Sequence, residues 1–223
     1  PKKLKANFIV SIDAIDGTDL MVRSLSNWCT ALFVFRPNDR VIVSLVGMHD
    51  GVIYYASEAG AKKSWIPKGE KSKKTKRLVI PQKNRVKRTK DASICFYGQK
   101  VDNFLSILSN RSFVKSIKSL IQFKKKNTRS IPLRIYNLGG NPMMIKLAEG
   151  KIDAVVEMKG QKLYDVIPGA FIATKAGAFW GDLNGNHIND AYLKKILANP
   201  SGKLSYILAS TKKLYQELLR FLT

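Results

Sequence analysis

An α/β (α+β) fold is predicted by three features of this 223-residue chain. The first third holds a cluster of short apolar runs separated by turn residues. After residue 91, strand-length segments alternate with segments of helical period. Apolar residues make up 45% of the chain and charged residues 25%, the balance of a protein that folds around a core rather than staying disordered. No uninterrupted apolar run approaches the roughly 18 residues needed by a membrane-spanning helix, so no membrane partner is expected.

Residues 8–12 read as a short apolar strand running into a turn at Asp16-Gly17, and residues 20–28 as helical or irregular. Strands follow over 30–35, 41–47 and 52–56. They are joined by Arg36-Pro37-Asn38-Asp39-Arg40 and by a connector containing Asp50-Gly51, residue types that favour turns for backbone reasons. Ile42, Ser44 and Val46 alternate imperfectly, which suits a sheet covered on both faces. Residues 62–90, with Pro67, Gly69 and Pro81, read as a hairpin and a linker, which divides the chain into an antiparallel-sheet domain over 1–90 and an α/β domain over 91–223. In the second domain the pattern predicts a strand over 92–97 and helices over 101–108 and 112–121, where Phe104, Leu105 and Leu108, then Val114, Ile117 and Leu120, recur at helical spacing. A strand over 132–136 follows. Next come a helix over 142–149 opened by proline and closed by Gly150, and a strand over 152–158. Residues 166–176 read as a helix with Pro168 in its first turn, and 179–183 as a strand. The closing pair is a strand over 206–209 and, after a Ser210 cap, an amphipathic helix over 212–222.

The net charge is +23, unevenly spread. Residues 62–90 carry thirteen Lys or Arg against the single acid Glu70, and residues 111–134 contain no acid. Such runs are either a footprint for nucleic acid or another polyanion, or a solvated lysine-rich surface. Only Trp65 interleaves the first run, too little aromatic surface for a single-strand stacking platform, so the solvated surface is preferred. Cys29 and Cys95 lie far apart in apolar company, as buried reduced thiols do, which predicts a cytoplasmic protein. His49 and His187 are isolated and turn-adjacent, and no catalytic role is expected of either.

The chemistry is concentrated in Ser11-Ile12-Asp13-Ala14-Ile15-Asp16-Gly17-Thr18-Asp19. A strand carries two carboxylates, three residues apart, into a turn where both can converge on one point. Oxygen ligands of this kind suit hard divalent cations, and the glycine lets backbone N–H groups cradle an anion. Such a string is also what a plain surface turn looks like. A second segment, Tyr164-Asp165, sits just ahead of an apolar helix, where Asp165 can serve as an N-cap or reach a metal.

Taken together these segments resemble the inositol monophosphatase family. Its Asp-Pro-Ile-Asp-Gly-Thr signature appears as Asp13-Ala-Ile-Asp-Gly-Thr18. Its Trp-Asp signature, followed by a small-residue helix and Ala-Gly-Gly, appears as Tyr164-Asp165 through Ala176-Gly177-Ala178. Ala148-Glu-Gly-Lys-Ile-Asp153 resembles the family's helix-to-strand corner, and residues 207–222 its closing strand and helix. The resemblance implies a layered α-β-α-β-α sandwich and Mg2+-dependent hydrolysis of a small phosphate monoester, such as an inositol, sugar or nucleotide phosphate. It also implies a homodimer. It assigns Asp13, Asp16, Asp165 and the carbonyl of Ile15 to the metal, and Gly17 and Thr18 to the phosphate. The Thr18 hydroxyl would orient the attacking water, with Asp16 beside it in the catalytic group. Gly139, Gly140, Asn141 and Glu157 would contact the substrate. The family places two helices and a Glu-Glu pair upstream of the first signature, whereas only twelve residues precede Asp13 here and none is acidic. The expectation is therefore of an active phosphatase of which this chain is part. The alternative is an impaired member of the family, or a basic polyanion-binding protein, lacking that acid.

Overall fold

The computed structural model describes residues 8–36, 40–65, 74–82, 85, 86, 88–97, 100–124, 133–199 and 201–223. Strands β1 (Ile9–Asp16), β2 (Cys29–Phe35), β3 (Val41–Met48), β4 (Val52–Ser57), β5 (Gly60–Trp65) and β6 (Thr75–Leu78) form one antiparallel sheet in chain order. A short helix, α1 (Thr18–Val22), separates β1 from β2. The second sheet runs β10-β11-β9-β7-β8. It contains β7 (Ser93–Phe96), β8 (Arg134–Tyr136), β9 (Ala154–Lys162), β10 (Phe179–Asp182) and β11 (Lys203–Ala209). Strand β7 lies parallel to β8 and β9, while β11 is antiparallel to β9 and β10.

Helices α2 (Val101–Ser109), α3 (Arg111–Lys124), α4 (Asn141–Ala148), α5 (Leu163–Lys175), α6 (Asp190–Leu197) and α7 (Lys212–Leu222) complete the molecule. Helix α5 touches strands of both sheets and packs along α4, so this pair forms the layer between the sheets. A helix enclosed on all sides must be apolar all round, and Val166, Ile167, Ala170, Phe171, Ile172 and Ala173 of α5 are all buried. Strands β7, β9 and β11 of the second sheet are covered on both faces, while the edge strand β8 is exposed. Cys95, Val155, Tyr206 and Leu208 join the core around α5. Their neighbours Ile94, Phe96, Ala154, Val156, Ile207 and Ala209 pack with Phe113, Leu214 and Leu218 on the other side. Alternate residues of a strand face opposite ways, so burial of both sets explains why these strands read as continuous apolar runs.

The first sheet differs from the two-sided cover expected of it. Burial alternates strictly along β2 and β4, and among the described residues only the face toward α4 and α5 is covered. Phe8, Val10 and Ile12 stay exposed. A buried polar tie joins this sheet to the middle layer. Glu149, just after α4, accepts hydrogen bonds from the Tyr54 hydroxyl at 2.9 Å and Lys63 Nζ at 3.1 Å, and pairs with Lys151 at 2.7 Å. These donors hold its carboxyl below the usual range, although burial pushes the other way.

The helix boundaries carry three corrections. Helix α5 starts at Leu163, three residues before the expected start, because Leu163 is drawn into the core. Asp165 therefore stands in the first turn rather than ahead of it. The cap of α7 is Thr211, whose side chain accepts from Leu214 N, while Ser210 donates to the Val86 carbonyl. Helix α6 was not anticipated. Its signals were the Asn189 cap and the apolar spacing of Leu193, Ile196 and Leu197. The expected hairpin in the basic stretch is present as β5 and β6, but residues 66–73, 83, 84 and 87 lie outside the described residues.

Candidate active site: an aspartate group beside a lysine-lined cavity

In a regular strand Asp13 and Asp16, three residues apart, would point to opposite faces. They do not, because the ladder shifts between them: Asp13 pairs with Ala31, but Asp16 pairs with Cys29, so one extra residue is accommodated on β1. A bulge of this kind re-aims a side chain and brings both carboxylates to one side. The irregular backbone is tied down locally. Thr30 Oγ1 donates to the Ala14 carbonyl at 2.7 Å, and Ile15 N donates to Asp13 Oδ1 at 3.1 Å. The Thr18 hydroxyl donates to the Ile15 carbonyl at 2.9 Å. Gly17 takes φ 90°, a left-handed conformation that glycine adopts without penalty, and the chain turns there into α1.

Asp16 is gripped from across the core. Its Oδ2 accepts from both the backbone N and the Nδ2 of Asn141, at 2.7 and 3.0 Å, and Asn141 Oδ1 accepts from Gly169 N at 2.7 Å. Gly140 makes the approach possible, since a Cβ there would stand 2.7 Å from Asp16 Oδ2. Asp165 completes the group from the first turn of α5. In its protonated form it hydrogen-bonds Asp13, and it is pushed up to about 7 by burial first and then by the charges of Asp16 and Asp13, with Lys162 offsetting part of the effect. Asp16 is pushed up to about 6, again chiefly by burial, the Asn141 bonds pulling it back. The Tyr97 hydroxyl, pushed up to about 12 by burial, also feels Asp16, Asp165, Glu157 and Asp19.

The structure thus brings Asp13, Asp16 and Asp165 into one interacting group, with the Ile15 carbonyl, Gly17 and Thr18 on the same turn. With Asp13 Oδ1 and Asp16 Oδ2 engaged by N–H donors, the group is not a closed cage. Among the described residues no three acidic, histidine or cysteine side chains stand in a ready-made metal-holding arrangement. Of the residues expected at the substrate, Gly139 packs against the Tyr97 ring and Gly140 against Asp16. Asn141 is placed elsewhere than the sequence suggests. It is 0% exposed, and its side chain is taken up by Asp16 and Gly169. The sequence offers Asn141 only as a substrate contact, and its grip on Asp16 depends on a pairing of distant residues.

Glu157 is likewise buried, at 1% exposure, with Oε1 accepting from Lys159 N and Gly160 N at 2.7 and 3.0 Å. Burial raises its carboxyl from 4.5 to about 6. The fold therefore holds this proton more tightly than the unfolded chain does. Stability falls as pH climbs from about 4.5, and the whole loss, about 2 kcal/mol, is present above about 6. Glu157→Gln keeps the Oε1 acceptor and cannot ionise. In urea unfolding, its stability relative to the parent should improve by about 2 kcal/mol between pH 4 and pH 7.5. A difference that does not change with pH would contradict this placement.

Beside Asp165 opens a cavity of about 490 Å³ lined by Tyr97, Lys100, Lys159, Lys162 and Lys203 among others. The sequence alone did not single out these lysines, because they lie outside the two dense basic runs. The histidines are not part of the group. The ring of His49 lies 5.5 Å from Trp28, and that of His187 stacks 4.6 Å from Phe179. Both cysteines are free and buried, as expected. Among the described residues, no helix is long and apolar enough to cross a membrane.

The fold is an α/β sandwich of two sheets around a helical layer, with aspartates delivered from a β1 bulge and from the first turn of α5. The family model for the inositol monophosphatase family matches residues 1–221, and the chain belongs to that family, a family of phosphatases. Solved structures share the fold at low identity. A Pyrococcus horikoshii protein described as having similarities to inositol-1 monophosphatase is 17% identical, with a TM-score of 0.66 over 98% of this chain and 71% of the other. The extragenic suppressor protein suhB from Bartonella henselae is 15% identical, with a TM-score of 0.66 over 98% and 71%. An IMPase/NADP phosphatase complexed with Mg2+ and phosphate is 18% identical, with a TM-score of 0.64 over 98% and 68%. No curated protein matches.

Proposed function

We propose that this chain supplies the hydrolytic site of a Mg2+-dependent phosphomonoesterase acting on a small phosphate ester, such as an inositol, sugar or nucleotide phosphate. The observation that carries the reading is the convergence of Asp13, Asp16 and Asp165. Two come from a bulged strand and one from a helix about 150 residues away, and they meet beside a basic cavity. The donors fit a hard divalent cation: all are oxygens, and burial with mutual repulsion raises two of the three, a cost that a bound cation offsets. The IMPase/NADP phosphatase solved with Mg2+ and phosphate lends support by likeness.

Asp13, Asp16, Asp165 and the Ile15 carbonyl would hold the ion, which supplies charge neutralisation at the phosphoryl oxygens and acidifies water. The Gly17 and Thr18 N–H groups bind the phosphate, and the Thr18 hydroxyl, anchored near the Ile15 carbonyl, orients the attacking water. Gly139 and Gly140 border the leaving group, while Asn141 acts through Asp16 by fixing its carboxylate. Glu157 supports the β9 edge of the cavity from beneath. Positioning and electrostatics carry most phosphoryl transfer, so no side-chain nucleophile is required. Two buried thiols fit a reducing, cytoplasmic setting.

The test is phosphate release by the full-length protein from inositol 1-phosphate, sugar phosphates and nucleoside monophosphates, with and without Mg2+. Release that requires Mg2+ is expected. No release from any of them would overturn the proposal.

A further inference from the structure

Trp180 on β10 is 1% exposed, and its Nε1–H meets no acceptor among the described residues. A buried N–H left unmet is costly. Its polar neighbours are committed elsewhere. The Tyr206 ring stands edge-on at 6.5 Å, but its hydroxyl donates to Gln161 Oε1. The Thr174 hydroxyl donates to the Ala170 carbonyl, and Asn189 Oδ1 accepts from Tyr192 N at the cap of α6. Trp180 also lines a cavity of about 160 Å³ between α5, α6 and the connection that leads from β10 to α6. The floor of this cavity is apolar and largely aromatic, made by Phe171, Trp180, Ile188 and Leu193, all buried. Its rim carries Lys175 and Asp190, of opposite charge.

We propose that this cavity is a binding site for a small neutral nitrogen heterocycle, a single ring that offers a carbonyl oxygen to the Trp180 Nε1–H. Size, wall chemistry and charge together choose the class. A cavity of about 150 Å³ holds a benzene-sized molecule, so this one takes one ring and excludes a drug-sized ligand. Walls of Phe171 and Trp180 suit the flat apolar face of a ring better than a hydroxyl-rich sugar. The opposite charges on the rim offset each other, so a net charge on the ligand gains little. A ring with both an acceptor and an N–H donor satisfies Trp180 with the one and Asp190 with the other. Uracil and cytosine have this pattern. The site is separate from the aspartate group: Asp165 stands in the first turn of α5, and Lys175 ends that helix ten residues later, about 15 Å away by the helical rise.

The experiment titrates uracil and cytosine, with toluene as a ring that lacks an acceptor, into the isotope-labelled full-length protein. It follows the indole N–H resonances by NMR, that of Trp180 being identified by its loss in Trp180→Phe. The heterocycles should move the Trp180 resonance downfield and saturably, with a Kd of about 1 mM or tighter, the range open to ligands of so few atoms. Mg2+ with inorganic phosphate should not displace them. Leu193→Phe, which fills the cavity and leaves Trp180 in place, should abolish the shift. Trp180→Phe keeps an aromatic wall but removes the donor, and should weaken calorimetric binding of the heterocycles about fivefold or more. No saturable shift at about ten times the expected Kd, an equal response to toluene, displacement by Mg2+ and phosphate, or unchanged binding in Leu193→Phe would each overturn the site. None of these readouts uses phosphate release, so the result is independent of the hydrolase reading.

Discussion

Asp165→Asn should lower kcat/KM for a phosphate monoester at least a hundredfold, about 3 kcal/mol of lost transition-state stabilisation. Asparagine has nearly the same shape, so the loss isolates the charge. Asp165 is the one member of the aspartate group supplied by α5; Asp13 and Asp16 come from β1. Removing its charge takes away the anionic contribution from the helix side, and the two remaining carboxylates are already partly engaged, Asp13 by Ile15 N and Asp16 by Asn141. The variant should fold as well as the parent. It relieves repulsion with Asp13 and Asp16, so thermal denaturation without Mg2+ should occur at the same temperature or a higher one. Loss of activity with retained stability separates a chemical role from a structural one. A variant that keeps parental kcat/KM in a phosphate-release assay would remove Asp165 from the site.

Gly140→Ala should cost about 2–4 kcal/mol of stability and should also reduce activity. The backbone at Gly140 has φ 79° and ψ −177°, a region essentially reserved for glycine, where any side chain costs about 1–3 kcal/mol. The added methyl would in addition meet Asp16 Oδ2 at 2.7 Å, so the carboxylate must move or break its bonds to Asn141. The two costs can be separated with a double-mutant cycle. In an Asp16→Ala background the collision is gone and the strain alone should remain, so Gly140→Ala should destabilise that background less than it destabilises the parent. Equal destabilisation in both backgrounds, measured by urea denaturation, would mean that Gly140 does not shape the position of Asp16.

The fold class and most of the elements were legible because their signals are local. The Gly150 stop after α4, the Asp50-Gly51 turn and the helical spacing around Phe104 each act over a few residues. The aspartates were legible as a motif, but the reason they converge was not. The bulge between Asp13 and Asp16 exists only in the pairing of β1 with β2, and nothing in a single strand's composition announces it. The clasp of Asn141 on Asp16 joins residues 125 positions apart, so the sequence offers Asn141 as a substrate contact and not as the residue that fixes Asp16. The start of α5 lies earlier than local signals indicate, for a similar reason. Burial of Leu163 against the core extends the helix by a turn, and that gain comes from tertiary packing rather than local propensity. The lysine cavity was hidden by dilution. In a chain of net charge +23, four lysines drawn from β9, β11 and the edge of α2 do not stand out until the sheet sets Lys162 opposite Lys203.

The most direct test of the shared-cation claim is calorimetric titration of Mg2+ into the full-length protein and into Asp13→Asn/Asp165→Asn at neutral pH. Saturable binding in the parent that disappears in the double variant is the predicted result. The same binding curve in both proteins would show that these aspartates do not hold the ion.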